Sequence, residues 1–492
     1  MNRPSQFGHT KIICTIGPSS QEPGILKEMI SAGMDVARLN FSHGDHEGHR
    51  RTLERVRTAA AESGEAITIL QDLGGPKIRT GVVENHAVSL EKGQQFVFTI
   101  DDVVGNAKRV STTYKALPKD VRKGDTILVD DGRIKMIVTG KTSTDVSCEV
   151  VNGGVLKDKK GMNLPGVSVS VSSLTDKDRA DLKFGLEHEV DYVALSFVRK
   201  PEDIRDLRKV IIQQGRKGVK VPIVAKIEKP EAVEAIDGII EEADVIMVAR
   251  GDLGVELQAE EVPLVQKRIV AKCNKAGKPV IIATQMLESM IENPRPTRAE
   301  ANDVANAVLD GTDAVMLSGE TSVGKYAVEA VHTMDRIIRK AETIARDRLG
   351  EGLEGIRYDD MFDAIARAAA VLAKQLGARA IVPVTHSGGT ALRISKYRPP
   401  APIVAVTGRE RILRRMNLIW GVRGMIVPEL DVDSDTAFKR IEDELVLRGY
   451  VRKGDYVVFT AGTPLMSKGS TNTIKVARVG DETGAIPSAP PA

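Results

Sequence analysis

Aromatic residues are scarce in this chain, at 3% of 492 positions with a single tryptophan. A nucleic-acid binder needs stacking rings beside clustered basic residues, so the scarcity argues against that role. Charge argues the same way, because 70 basic residues face 67 acidic ones for a net +3. Long apolar runs are missing as well. No stretch approaches membrane-spanning length, and Met1–Gln6 carries no apolar core of the kind an export signal needs. The cysteines Cys14, Cys148 and Cys273 are too few and too far apart for a disulfide framework or a zinc pattern. Internal repeats and low-complexity segments are absent before the Ala- and Pro-rich end. What is left is an ordinary globular composition, 42% apolar and 28% charged, with length for about two to four domains. The expectation is a cytoplasmic enzyme with neither nucleic acid nor membrane as partner.

Apolar periodicity organises the chain. Short apolar runs at Lys11–Gly17, Val36–Ser42 and Ala66–Leu73 predict strands. Between them lie a helix through Ile25, Met29 and Ile30 that Gly33 stops, and a charged helix capped by Asp45 that reaches about Glu62. From Lys77 to Val171 the pattern changes to short alternating runs broken by turns such as Glu91–Gly93 and Asn152–Gly154, with no helical stretch. Alternation of helix and strand resumes at Thr175. Strands are expected at Tyr192–Val198, Pro222–Glu228, Val245–Val248, Pro279–Thr284 and Ala314–Ser318, with helices such as Pro201–Gln214, Pro263–Ala276 and Arg298–Leu309. Eight strand–helix units predict an α/β (β/α)8 TIM barrel built from residues 1–76 and 172–347. Residues 77–171 would form an inserted all-β lid domain after strand 3.

A long helix, Ala327–Arg346, leads to a Gly-rich linker at Gly350–Gly355. Beyond it, 348–480 predicts a C-terminal open α/β domain with strands at Ile381–Val384, Ile403–Val406, Met425–Val427 and Tyr456–Phe459. The tail, 481–492, is expected to be disordered.

Chemistry collects at strand ends. In Ile223–Glu228, strand periodicity puts Lys226 and Glu228 on one face, and Val245–Asp252 ends in a second carboxylate. A lysine with two carboxylates suits a divalent cation and an anionic substrate. Barrel enzymes work at the carboxyl ends of their strands. Read in order, those ends carry Arg38, Asn40, Ser42 and His43; Gln71 and Asp72; Ser196 and Phe197; Lys226 and Glu228; Arg250 and Asp252; Thr284 and Gln285; Ser318 and Glu320.

The segments Val36–Gly44, Ala225–Val233, Ala249–Glu256, Thr284–Met290 and Leu317–Thr321 resemble pyruvate kinase, and the likeness runs to about Gly480. The resemblance implies transfer of a phosphoryl group from phosphoenolpyruvate to ADP, giving pyruvate and ATP, the last step of glycolysis. It implies Mg2+, with Mn2+ as the alternative, held by Glu228 and Asp252. Lys226 and Arg38 would face the phosphoryl group, and backbone near Gly251 and Asp252 would cradle the substrate carboxylate. Thr284, with Ser318 and Glu320, would relay a proton to the enolate. Asn40, His43, Arg79 and Lys160 would meet the nucleotide phosphates, and Lys160 sits on the inserted domain as on a closing lid.

Asn40, Ser42, Asp72 and Leu73 match the family's monovalent-cation site. One departure stands out. K+-dependent members read Asp-Thr-Lys-Gly-Pro-Glu where this chain reads Asp72–Lys77 as Asp-Leu-Gly-Gly-Pro-Lys. A fixed ammonium at Lys77 supplies the charge K+ would bring, so K+ is expected not to be required. Gly74 stands where the family carries a lysine. The C-terminal domain resembles the family's regulatory domain. Thr385, Ser387, Gly388, Gly389 and Thr390 form a strand-to-helix turn fit for a phosphorylated effector, with Lys468–Asn472 as the facing loop. The resemblance also implies a homotetramer.

Plainer roles remain open at this stage. Asp252 after Arg-Gly reads equally as a helix cap, Thr284 and Ser318 as hydroxyls satisfying backbone groups, and Thr385–Thr390 as a simple cap. Arg38 has a structural alternative, and His43, Lys77, Arg79 and Lys160 have a solvated one. A Mg2+-dependent lyase on a related barrel and a catalytically silent metabolite sensor are the competing functions. The first needs no lid, and the second needs no Lys226, Glu228 or Asp252.

Overall fold

The computed structural model describes residues 8–167, 169–216, 218–348, 360–428, 430, 433–462 and 471–481. The linker expected at Gly350–Gly355, the loop residues Lys468–Ser470 and the tail from 482 lie outside them. Eight short strands alternate with helices: β1 (Lys11–Thr15), β2 (Val36–Asn40), β3 (Thr68–Asp72), β4 (Tyr192–Leu195), β5 (Ile223–Ile227), β6 (Val245–Ala249), β7 (Val280–Ala283) and β8 (Ala314–Leu317). They close into a parallel barrel in the order β1-β8-β7-β6-β5-β4-β3-β2.

Parallel strands covered on both faces need apolar residues at both parities, and that is how these are built. Ile13, Leu70, Val224, Met247 and Met316 point into the barrel, whereas Cys14, Ile69, Ala225 and Ile246 pack outward in the helix-lined core. Register keeps the polar ends level. Asn40 lies opposite Asp72, Asp72 opposite Ala194, Leu195 opposite Ala225, and Lys226 opposite Met247. The helices stop where the chain says they should. Gly33 takes φ 118° after Pro23–Ala32, which only glycine adopts cheaply. Asp45 caps His46–Ser63 by accepting from the Gly48 N–H at 2.8 Å.

Two expectations need correction. The second strand ends at Asn40, not Ser42, because the Asn40 side chain accepts from the Ser42 N–H at 3.1 Å and turns the chain there. The segment after strand β3 is not free of helix: a single turn runs Leu117–Asp120 and a 3-10 turn runs Glu84–His86. Pro118, in the first turn, presets the helical φ. The rest of this segment is strands joined by turns and loops. A six-stranded sheet, from Met162–Asn163 across to Arg109–Ser111, packs its own apolar core around Phe96, Phe98 and Val138.

The C-terminal sheet comprises β9 (Ala380–Pro383), β10 (Ile403–Thr407), β11 (Val422–Ile426), β12 (Tyr456–Ala461) and β13 (Thr473–Arg478), in the order β11-β10-β9-β12-β13. β13 pairs antiparallel with β12, and the rest are parallel. Leu418 leaves this unit to join the side chains that fill the barrel interior. Among the described residues, no helix is long and apolar enough to cross a membrane.

Candidate active site

The strand ends converge on Lys226. Its ammonium lies 2.8 Å from Glu228 Oε1, 3.2 Å from Asp72 Oδ1 and 2.7 Å from Ser196 Oγ. Burial alone would push the amine down, but Asp72 and Glu228 outweigh it and hold the charged form above the ordinary lysine range. Arg38, one strand over, donates Nε to Asp72 Oδ2 at 2.8 Å and Nη1 to Thr15 Oγ1 at 2.8 Å. Burial works against the Asp72 charge, yet Lys226 and Arg38 keep its carboxyl below the usual carboxylate range. Two cations therefore stand side by side on one shared carboxylate.

Glu228 is held the opposite way. Burial raises its carboxyl, Lys226 opposes that, and the Asp252 charge raises it further. Its second oxygen, Oε2, accepts from the Phe197 N–H at 2.8 Å. Phe197 sits at φ 55°, a conformation costly for a bulky residue and kept only where surroundings impose it. Asp252 lies in the first turn of a helix that runs Arg250–Glu256. Asp252 faces a cavity of about 560 Å3.

Thr284 follows β7 at φ 70°. Its hydroxyl accepts the Gly251 N–H at 2.7 Å and donates to the Ala283 carbonyl at 2.6 Å, so the Gly251 amide is engaged from within the protein. Glu320 accepts from the Ser318 N–H at 2.7 Å and from the Leu287 N–H at 3.0 Å, and burial raises its carboxyl. The Ser318 hydroxyl beside it is buried with no hydrogen-bond partner among the described residues.

His43, Lys77, Arg79, Lys160 and Asp252 share the walls of the same cavity, which opens between the barrel mouth and the inserted domain. Lys160 pairs with Asp130 at 2.7 Å. Burial, then Lys77, Arg79 and Arg38, pushes the His43 imidazole down. Lys77 has no ion pair among the described residues, and burial together with Lys226 lowers its amine, against the pull of Asp252. The turn that delivers it is tight. Gly75 has φ 63°, and a Cβ there would meet the Phe197 ring at 2.7 Å and Ser196 Cβ at 3.0 Å. Asn40 and Ser42 are half-buried beside it, and Leu73 is buried with its carbonyl accepting from Ser196 at 2.8 Å.

The residues expected to bind an effector lie elsewhere, at the end of β9. Thr385 accepts the Gly388 N–H at 3.0 Å, Gly388 (φ 86°) precedes the helix Gly389–Lys396, and Thr390 lies 2.7 Å from Thr471. Of the expected facing loop, only Thr471 and Asn472 are described. Sequence reasoning missed Thr15, which supports Arg38, and the bridge Asn163–Glu256–Lys229. In that bridge Asn163 of the inserted domain donates to Glu256 at 2.9 Å, and Lys229 pairs with the same carboxylate. Ser196 had a signal, its place at a strand end. Asn163 and Glu256, 93 residues apart, had none.

A family profile described as "Pyruvate kinase, barrel domain" matches residues 7–331, and one described as "Pyruvate kinase, alpha/beta domain" matches 363–477. The chain belongs to the pyruvate kinase family. It is 48% identical to a pyruvate kinase of Geobacillus stearothermophilus over 96% of its own length and 80% of the relative's. It is 47% identical to one from Corynebacterium glutamicum, covering 96% of this chain and 98% of that one. A crystal structure of a pyruvate kinase from Cryptosporidium parvum superposes with a TM-score of 0.91 at 39% identity, covering 97% of each chain. As a pyruvate kinase family member the protein is a phosphotransferase. The family's reaction links phosphoenolpyruvate and ADP to pyruvate and ATP and uses a divalent metal. No group of three or more His, Cys, Asp or Glu among the described residues is placed to hold a metal. Glu228 and Asp252, the carboxylates expected to hold the metal, lie close enough for the Asp252 charge to raise the Glu228 carboxyl.

Proposed function

We propose that this chain moves the phosphoryl group of phosphoenolpyruvate to ADP at the barrel mouth, with Lys226 facing the group in transfer. The supporting observation is the buried Lys226 ammonium, hydrogen-bonded to Ser196 and ion-paired with Asp72 and Glu228, which hold it in the charged form. Arg38 adds a second positive charge across Asp72, so the developing negative charge on the phosphoryl oxygens meets fixed cations and no reorganisation is needed. Glu228 and Asp252 would hold Mg2+, or Mn2+ in its place. Their mutual repulsion, which raises Glu228, is what a bound cation would relieve. When bound, the ion supplies Lewis acidity that stabilises the enolate.

Thr284 and the hydroxyl of Ser318, backed by Glu320, are read as the groups that relay a proton to the enolate carbon. The unpartnered Ser318 hydroxyl supports a place in a water-mediated relay. Asn40, His43, Arg79 and Lys160 are read as nucleotide contacts, and the inserted domain (77–171) as the lid that excludes water. The barrel comprises 1–76 and 172–347 in this reading, and 348–480 regulates it by binding a phosphorylated effector at Thr385–Thr390. The Thr390–Thr471 contact supports a two-sided pocket there. The working form is read as a cytoplasmic homotetramer.

Lys77 is read as the substitute for K+. Its unpaired ammonium, lying on the cavity wall near Asp72 and Asp252, supports that assignment. The test is pyruvate formation from phosphoenolpyruvate and ADP with Mg2+ in buffer free of K+, Na+ and NH4+, beside a sample with K+ added. Full activity in both is the expected result. Activity only with K+ would remove the Lys77 assignment. Silence in both, with candidate effectors added, would remove the function itself.

A further inference from the structure

The Lys226 ammonium has three polar partners: it donates a hydrogen bond to Ser196 Oγ and forms ion pairs with Asp72 Oδ1 and Glu228 Oε1. Two are carboxylates. The third, the Ser196 hydroxyl, is neutral. Ser196 is 3% exposed and gives its single proton to the Leu73 carbonyl at 2.8 Å, so towards Lys226 it can only accept. The carbonyl it uses is itself fixed, because the Leu73 N–H donates to Ala194 at 3.0 Å across the β3–β4 pairing. Backbone on both sides therefore sets the direction in which the Ser196 lone pair points.

We infer that Ser196 is a positioning residue for Lys226. Its hydrogen bond fixes one N–H direction, with Asp72 and Glu228 holding the ammonium as ion-pair partners. The remaining N–H groups are left to meet the transferring phosphoryl group. A neutral acceptor suits this task because it aims the ammonium without placing a further negative charge beside phosphoryl oxygens. The same hydroxyl engages the carbonyl of Leu73, a residue expected in the monovalent-cation site, so two hydrogen bonds through one hydroxyl join that site to Lys226. The inference rests on the reading of Lys226 as the group that faces the phosphoryl.

Ser196→Ala removes the acceptor and little volume. The measurement is the single-turnover rate of phosphoryl transfer with saturating Mg2+, alongside the phosphoenolpyruvate KM, the melting temperature and a crystal structure of the metal-free variant. A hydrogen bond to a charged group predicts a rate loss of about 10- to 100-fold. KM should stay within about threefold and melting within about 3 °C. Lys226 Nζ should leave its place between Asp72 and Glu228 in the crystal. Ser196→Thr keeps the acceptor and should recover the rate to within about fivefold. Equal losses in the two variants with Lys226 unmoved would reduce Ser196 to packing and overturn the inference. A wild-type rate in Ser196→Ala, with Lys226→Met inactive, would overturn it and leave the Lys226 reading intact. A near-normal rate in Lys226→Met would take down that reading, and the inference with it.

Discussion

Asn163 of the inserted domain donates its side-chain amide to Glu256 of the barrel at 2.9 Å. Glu256 is four residues past Asp252 on one short helix, and its other partner, Lys229, directly follows Glu228. The bridge thus ties the inserted domain to both segments that carry the proposed metal ligands. Asn163→Ala should loosen the lid without unfolding either domain, because each has its own apolar core. A hydrogen bond to a charged group lost from the closed state alone predicts a rise in the ADP KM of about 10-fold or more. Steady-state kinetics with ADP varied checks this, and an unchanged KM would remove the latch.

Lys226→Met should lower turnover by at least about 100- to 1,000-fold, the cost of one well-placed electrostatic group. Mn2+ binding, followed by electron paramagnetic resonance, should largely survive because Glu228 and Asp252 stay. Full activity in the variant would exclude Lys226 from the reaction.

The same lysine has a pH signature. Its folded pKa lies above the ordinary 10.5, so its stabilising contribution is fully present below that value and is lost as pH rises through the folded pKa. The melting-temperature gap between wild type and Lys226→Met should be constant from neutral to mildly alkaline pH and narrow above 10.5. Asp72 acts at the other end. Its carboxyl is depressed below 3.8, so the stability it contributes is present above 3.8 and fades as pH falls through the lower folded value. A gap that is flat across the alkaline range would contradict the burial of a charged Lys226.

Much of this arrangement was legible in the sequence because parallel barrel strands are covered on both faces. They read as short apolar runs, and a polar residue at the end of each run is conspicuous. The period of two set Lys226 and Glu228 on one face, where they are 2.8 Å apart. Contacts between distant segments left no such trace. Nothing local marks Asn163 as the partner of Glu256, or distinguishes Leu418 from the core residues of its own domain. Ser196 read as one more strand-end hydroxyl, since its value depends on where Lys226 and the Leu73 carbonyl lie. The single helical turn at Leu117–Asp120 is too short to show a period.

Lys77→Glu should convert the enzyme to K+ dependence. The substitution exchanges a fixed cation for an anion at the cavity wall, and an added monovalent cation can then restore the charge. Activity without K+ is expected to fall about 10-fold or more and to recover on titration with K+. The lowered pKa of Lys77 adds a second expectation: wild-type activity without K+ should fail at lower pH than activity with it, because the ammonium is lost below the ordinary lysine value of 10.5. K+ indifference in Lys77→Glu would refute the substitution argument.

The floor of the barrel supplies the last expectation, because the C-terminal domain closes it. Arg414 pairs with Asp191 at 3.0 Å, and Asp191 also accepts the Ile69 N–H at 2.9 Å, just inside β3. Burial raises the Asp191 carboxyl, against the opposing pull of Arg57 and Arg414. Beside this pair, Leu418 fills the barrel interior with Leu70, Tyr192 and Val224. Arg414→Met leaves Asp191 a buried charge with Arg57 at 3.6 Å as its remaining cation. That should cost about 3–5 kcal/mol, the usual penalty for stranding one member of a buried pair. Leu418→Ala should cost about 2–5 kcal/mol through the cavity it opens. Denaturant unfolding of each variant measures both. Since β3 and β4 rise from this floor to Asp72 and Ser196, the two variants should also lower the rate of phosphoryl transfer before global unfolding sets in. Loss of stability with an unchanged rate would show that the floor anchors the C-terminal domain and is not coupled to the site above it.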